Sequence, residues 1–338
     1  MNERLRPSDL HPQLRPVFRF VPNPPVQHPL LLRLMQAGSA RMRAPRRLPE
    51  GISCSFDRLG PGAGVHVFTL AGARERAGVL WIHGGGFIVG SAAQDHARCA
   101  RLAKDLDVVV YSAEYRLAPG APFPAPLDDL HAVWRHLLER AGEDDVDPAR
   151  LAVAGQSAGG GLAAALVQRI HDDGGQQPAA QWLFCPMLDD RTAADRSLDG
   201  IRHYLWNNTS NVVGWSAYLG REPGGQSVPD YAVPARREDL TGLPPAWIGV
   251  GDIELFYEED RRYAERLVDA GVPTVLEVVP GAPHAFESFL GGTGFLLDQG
   301  VMGQRQGWRS ACSLVIDVLN ADPARSKLVP CGAWTSSG

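Results

Sequence analysis

Short apolar runs alternate with amphipathic stretches along most of this chain. Val79–Ile82, Val108–Tyr115, Leu151–Ala154, Trp182–Leu188, Trp247–Val250 and Thr274–Val279 are strand-length runs rich in aliphatic, β-branched and aromatic residues. Between and after them, His96–Leu106, Leu127–Ala141, Ala158–Asp172, Glu258–Ala270 and Trp308–Leu319 place apolar residues at helical spacing. Strands this apolar are buried on both faces, and interleaved helices supply the cover. The pattern, which sets in from about residue 51, predicts a mostly parallel sheet with helices on both sides. Two stretches fall outside this rhythm. Residues 1–50 are rich in Pro, Arg and Leu, show no strand character, and offer one short amphipathic helix over Leu30–Ala40. Residues 189–226 are polar, with aromatics at Tyr204, Trp206, Trp215 and Tyr218. No internal repeat is present, and the polar tail from Asp322 is expected to fray.

Composition narrows the class. With 338 residues, 44% of them hydrophobic, the chain can bury a large core as one α/β domain with insertions. The formal net charge of −5 and the mixed signs, without a basic stripe, argue against a nucleic-acid partner. No apolar run approaches the roughly 18 residues of a membrane span. The Met1–Pro7 start has no apolar core of a secretory signal. Cys54, Cys99, Cys185, Cys312 and Cys331 lack C-x-x-C spacing and read as reduced thiols in a cytosolic protein. The Asn-x-Ser/Thr sequons at Asn207 and Asn208 are then chance matches.

Two glycine-rich runs carry the candidate chemistry. Gly155-Gln156-Ser157-Ala158-Gly159-Gly160 lies between the run Leu151–Ala154 and a helix of small residues. A serine on such a strand-to-helix turn is presented as a nucleophile, and only glycine fits two residues away on either side. Alone the match is weak. With 37 glycines in 338 residues it arises by chance in about one chain in five. Its strand-turn-helix context and a second run, His83-Gly84-Gly85-Gly86-Phe87 after Val79–Ile82, raise it. Acyl transfer places negative charge on a former carbonyl oxygen, and backbone N–H groups aimed there stabilise it by about 3–4 kcal/mol each. Gly85, Gly86 and Ala158 are the expected donors. His83 reads as a structural hydrogen-bonding residue at the strand end. No Gly-x-Gly-x-x-Gly or P-loop lysine supports a phosphate cradle instead.

A general base must reach Ser157 at the carboxyl edge of the sheet. His284 follows the last strand in Pro280–Phe286 and comes after the serine in the chain, while His203, in the irregular stretch, is its rival. The acid is open between Asp252 and Glu254, which flank one strand end, with Asp189 and Asp190 as weaker options. Losers among these carboxylates would cap helices or form surface ion pairs.

These residues resemble the hormone-sensitive-lipase-like family of α/β-hydrolases, in its bacterial esterase branch. The resemblance runs from about residue 78 to 290 and rests on five ordered motifs: His83–Phe87, Tyr115-Arg116-Leu117-Ala118-Pro119, Gly155–Gly160, Pro186-Met187-Leu188-Asp189-Asp190-Arg191 and Gly281-Ala282-Pro283-His284. It implies an α/β-hydrolase fold and a serine esterase acting on short- to medium-chain acyl esters, with no metal and no cofactor. The family's acid motif aligns with Glu254-Leu255-Phe256-Tyr257-Glu258-Glu259-Asp260, which favours Glu254 over Asp252 although the usual residue is Asp. Gly120 also departs from the usual Glu. The resemblance further implies a helical cap from residues 1–45 and 191–226 over a catalytic domain of 46–190 and 227–321, followed by a tail of 322–338. Phe87, Tyr204, Trp206 and Trp215 are its candidate pocket walls, with core packing as the plain alternative. Family members often pair through a sheet edge, so a homodimer is compatible. Two other activities fit the same motifs, an amidase or peptidase on the same triad and a non-catalytic ligand-binding protein. The second is disfavoured because serine, histidine and an acid are all present.

Overall fold

The computed structural model describes residues 5–43, 47–72 and 76–288. The expected last helix over 308–319, the tail 322–338, Cys312 and Cys331 lie outside the described residues. In chain order the elements are α1 (Arg15–Phe18), α2 (Pro29–Ala40), β1 (Ile52–Gly60), β2 (Ala63–Leu70), β3 (Arg76–Ile82), α3 (His96–Leu106), β4 (Val109–Glu114), α4 (Ala125–Arg140), β5 (Val146–Gln156) and α5 (Ala158–Asp173). They continue with β6 (Ala180–Phe184), α6 (Asp190–Ala194), α7 (Asn208–Leu219), β7 (Ala246–Gly251), α8 (Tyr257–Asp269) and β8 (Thr274–Val279).

The strands form one sheet in the order β1-β2-β4-β3-β5-β6-β7-β8. The β1–β2 and β2–β4 pairings are antiparallel and all others parallel. The apolar runs therefore form the parallel body, with every residue of β3 buried. Alternation along β3 splits the core. Leu80 and Ile82 join the cluster that includes residues of α4, α5 and α8, while Val79 and Trp81 join the one that includes residues of α3. The β1–β2 hairpin was not individually legible, because β1 is a largely exposed edge strand with no continuous apolar run.

Two local features differ from the sequence expectation. The run Trp182–Leu188 does not stay a strand: β6 ends at Phe184 because Cys185 turns to φ +37°. Met187 then donates its N–H to Ser157 O, folding that segment beneath the nucleophile candidate. The irregular stretch, expected as part of a helical cap, contains the helix α7, whose start is capped by Asn207 Oδ1 accepting from Ser210 N at 3.0 Å. Asn208 is buried and donates to Asp195 O and Asp199, so both sequon asparagines serve packing. Finally, Leu10, Leu14 and Phe18 are fully buried in the core beside Trp182 and Val279, so this part of the N-terminal segment is built into the body.

One half-buried carboxyl makes stability pH-dependent. Glu114, at the end of β4, accepts from Ala92 N at 3.0 Å, but burial pushes its pKa up to about 7. Below about pH 4.5 it is protonated in both folded and unfolded chains. Between there and pH 7 only the folded chain keeps the proton, so stability falls as pH rises through this window. Glu114→Gln keeps an acceptor for Ala92 N without a titrating charge. Its melting midpoint should match wild type near pH 4 and exceed it at pH 8 by the equivalent of about 1 kcal/mol, allowing for partial solvent access. Equal midpoints at pH 8 would remove Glu114 as the source.

Candidate active site

Strands β3 and β5 are parallel neighbours with Ile82 opposite Gly155, so the two glycine-rich loops leave the sheet side by side. At the end of β5 Ser157 sits at φ 56°, ψ −123°, a conformation that L-residues rarely adopt. Its N–H donates to Phe184 O at 2.8 Å, which holds the turn. The flanking glycines are steric necessities. A Cβ on Gly155 would lie 2.2 Å from Gly159 O, and one on Gly159 would lie 2.2 Å from Ile82 O. The start of α5 follows at once.

Three side chains meet at this turn. His284 Nε2 lies 2.9 Å from Ser157 Oγ, and His284 Nδ1 lies 2.5 Å from Glu254 Oε2. All three residues are buried. The His284 loop comes off β8 and the Glu254 loop off β7, strands that are hydrogen-bonded neighbours. Burial pushes the Glu254 carboxyl up, and the His284 ring beside it pulls it back towards ionisation. Phe256 sets its ring edge-on to the imidazole at 5.2 Å. Asp252 takes no part in this contact; it is exposed and accepts from Gly281 N at 2.7 Å, tying the two loops together. Asp189 caps α6 and pairs with Arg191, while buried Asp190 pairs with Arg236. His203 is not bonded to Ser157; burial and the nearby His284 push its pKa down to about 4, so its ring is neutral at pH 7.

Gly85 and Gly86 take φ values of +131° and +59°, which favour glycine, and Ala158 is the first residue of α5. His83 is buried, stacks on Tyr115 at 4.3 Å, and its carbonyl accepts from Tyr115 Oη at 2.8 Å. Burial lowers its pKa. His83 thus occupies the structural place expected of it. The Tyr115–Pro119 segment braces the same loop, since Ala118 N donates to Phe87 O and Arg116 forks onto Asp129 at 2.7 Å. Sequence reasoning missed a further brace. Gln156 donates to Glu287 and, at 2.8 Å, to Ser288 Oγ, joining the residue before Ser157 to those just after His284. Its only signal was adjacency to the two motifs.

The four aromatic wall candidates separate. Trp215 is fully buried and Phe87 is 2% exposed; they pack on each other and on Tyr218 as core. Trp206 presses on the loop so closely that a Cβ on Gly86 would lie 2.2 Å from its ring. Tyr204 lines a cavity of about 1380 Å³ together with His203, Ile253, Asn23 and Glu254; Ser157 is not among its walls. Among the described residues, one group of metal-ligand types gathers closely: Cys185, Glu254 and His284, within 4.8 Å of one another. Glu254 and His284 already bond each other, and burial raises the Cys185 thiol well above its usual range, so it stays a neutral and poor ligand.

Comparisons with known proteins bear on the fold and the family. A family described as alpha/beta hydrolase fold matches residues 79–288. Esterase LipI of Mycobacterium tuberculosis is 33% identical over 216 residues, covering 63% of this chain and 66% of that protein. Carboxylesterase NlhH of the same species is 35% identical over 217 residues, covering 62% of this chain and 66% of that one. The chain thus spans just under two thirds of the length of these relatives. A bacterial heroin esterase superposes with a TM-score of 0.77 at 31% identity, covering 93% of this chain and 98% of its own. Esterase LipW from Mycobacterium marinum superposes at 0.75 with 29% identity, covering 93% and 96%.

Proposed function

The chain belongs to the alpha/beta-hydrolase family, in its hormone-sensitive-lipase-like branch, and from that premise we propose that it is a serine carboxylesterase. The observation that carries this reading is the unbroken relay from Ser157 Oγ through His284 to Glu254, with the serine held in strained backbone at the sheet edge. Ser157 Oγ attacks the ester carbonyl while His284 Nε2 takes its proton. Glu254 holds the ring and stabilises the imidazolium. Negative charge on the carbonyl oxygen meets the N–H groups of Gly85, Gly86 and Ala158. The intermediate collapses, the C–O bond breaks, and His284 returns the proton to the leaving alcohol. Water, deprotonated by His284, then attacks the acyl-enzyme and releases the acid and free Ser157. None of these steps calls for a cofactor.

The cap follows the same logic. Residues 191–226 bring Trp206 onto Gly86 and Tyr204 beside the cavity, and Asn23 of the N-terminal segment donates to His203 O at 3.0 Å. These contacts support a cap whose aromatic residues wall the substrate, a small-molecule ester of short to medium acyl chain.

The test is covalent. A fluorophosphonate should modify the protein once, on the peptide that contains Ser157, and p-nitrophenyl esters from acetate to palmitate should be hydrolysed with a maximum at short to medium chains. Labelling at another peptide would overturn the assignment. A matched anilide cleaved as fast as its ester would make the protein an amidase instead.

A further inference from the structure

Large apolar side chains are left in water in one part of this molecule. Of the seven that the described residues expose, five lie between residues 20 and 42: Phe20, Leu30, Leu31, Leu34 and Met42. Three of them stand on α2, and the helix explains why they have no partner. With 3.6 residues per turn, Leu32, Met35, Gln36 and Ser39 share one face. Leu32 and Met35 pack against the core. Gln36 Nε2 donates to Ile88 O at 2.9 Å, and Ser39 Oγ accepts from Gly90 N at 3.2 Å. The inner face is thus engaged. Leu30 and Leu34 fall on the opposite face and are 70% and 60% exposed, and Leu31, on the flank beside them, is 40% exposed. A helix solvated on its outer side should carry charged residues there, so an apolar ridge marks a surface that meets something else.

The charge around the ridge says what. From Leu10 to Pro49 the chain carries seven arginines and no Asp or Glu, although the whole protein is net negative. The overall balance concealed this local excess. Arg33 stands on α2 and Arg41 caps its end. Arg41 donates to Ala37 O, and Arg19 lies over the Phe20 ring at 4.4 Å; neither contact neutralises a charge. A second copy meeting this face across a two-fold axis would set arginine against arginine. An anionic surface with an apolar interior satisfies both the ridge and its rim.

We propose that the outer face of α2 docks the protein on an anionic phospholipid surface. Leu30, Leu31 and Leu34 enter the boundary between headgroups and acyl chains, while Arg33, Arg41 and Arg43 meet the phosphates. The contact is peripheral, since no helix among the described residues is long and apolar enough to cross a membrane. It places the lipid surface about one helix diameter from the Ile88–Gly90 segment that follows the second glycine run. The proposal does not depend on the esterase reading.

The experiment is sedimentation of the full-length protein with vesicles of phosphatidylcholine alone or mixed equally with phosphatidylglycerol. Wild type should bind the mixed vesicles at low salt, bind phosphatidylcholine at least about tenfold more weakly, and be released by high salt. Leu30→Ser/Leu31→Ser/Leu34→Ser should lower partitioning at least about tenfold. Arg33→Gln/Arg43→Gln, which leaves the ridge intact, should lower it about tenfold on mixed vesicles only. Both variants should keep the far-UV circular dichroism spectrum and melting midpoint of wild type, which shows that they fold. Four results would each overturn the proposal: wild type failing to bind mixed vesicles, binding both vesicle types equally, the leucine variant binding as wild type, or a leucine-dependent dimer in solution without vesicle binding.

Discussion

Ser157→Ala should abolish ester hydrolysis, with kcat falling by about 10⁵–10⁶, equivalent to some 7–8 kcal/mol of transition-state stabilisation. Ser157 Oγ is the atom that forms the acyl bond, and it is the hydroxyl that His284 Nε2 contacts at 2.9 Å. What rate survives should come from the backbone donors and from binding, which the substitution leaves in place. The fold should survive as well. Alanine keeps the φ of 56° and its strain, so the melting midpoint should move little. Ser157→Gly should be equally inactive but more stable than the alanine variant by about 1 kcal/mol, because glycine accepts that backbone. Initial rates on p-nitrophenyl butyrate and thermal melts check both. Activity retained in Ser157→Ala would sink the mechanism.

Glu254→Ala should cost about 10³–10⁴ in kcat with little change in KM, whereas Asp252→Ala should cost less than about tenfold. Glu254 is the carboxylate bonded to His284 Nδ1 at 2.5 Å, and its removal frees the ring to take the wrong tautomer or to swing away from Ser157. Asp252 holds Gly281 N, so its loss should appear as stability, about 1 kcal/mol, and not as rate. Glu254→Asp separates reach from charge. It keeps the carboxylate but withdraws it by one methylene, and should lie between wild type and Glu254→Ala. Rates and melts of the three variants decide the matter, and the opposite ranking of Asp252→Ala and Glu254→Ala would move the acid to Asp252.

Much of the architecture was legible in the sequence because it follows from short-range rules. The six apolar runs are all strands of the sheet, parallel in all but one pairing that involves them, since a strand buried on both faces must be largely apolar, and β8, at the sheet's edge, is only half-buried and carries Glu277. α3 matches its expected span residue for residue, and α5 differs by one. Helical periodicity is a local property of amphipathic segments. The two glycine runs marked Ser157 and the Gly85–Gly86 loop because a sharp turn and a close backbone approach leave no choice of residue. β1 stayed hidden because an exposed edge strand needs no apolar pattern. The end of β6 was misjudged because Cys185 at φ +37° is imposed by its neighbours, not by its own preference.

What the chain determined by itself was chemistry tied to local backbone: a strained serine, a glycine loop, a histidine after the last strand, and two carboxylates near it. Which carboxylate meets the imidazole was decided by tertiary structure. Asp252 and Glu254 lie two residues apart at the end of β7, and only the packing of the β8 loop against that turn gives one of them to Gly281 N and the other to His284. The same holds for the aromatic residues. Trp206 and Trp215 both pack in the core, but only Trp206 is seen pressing on Gly86, because the fold brings different neighbours to the same side chain. The exposed ridge of α2 is the third case. Its leucines read as one face of an amphipathic helix, but the helix docks through Gln36 and Ser39 and leaves them outside. Periodicity fixes which residues share a face, and the long-range contacts of the folded chain choose the face that is buried.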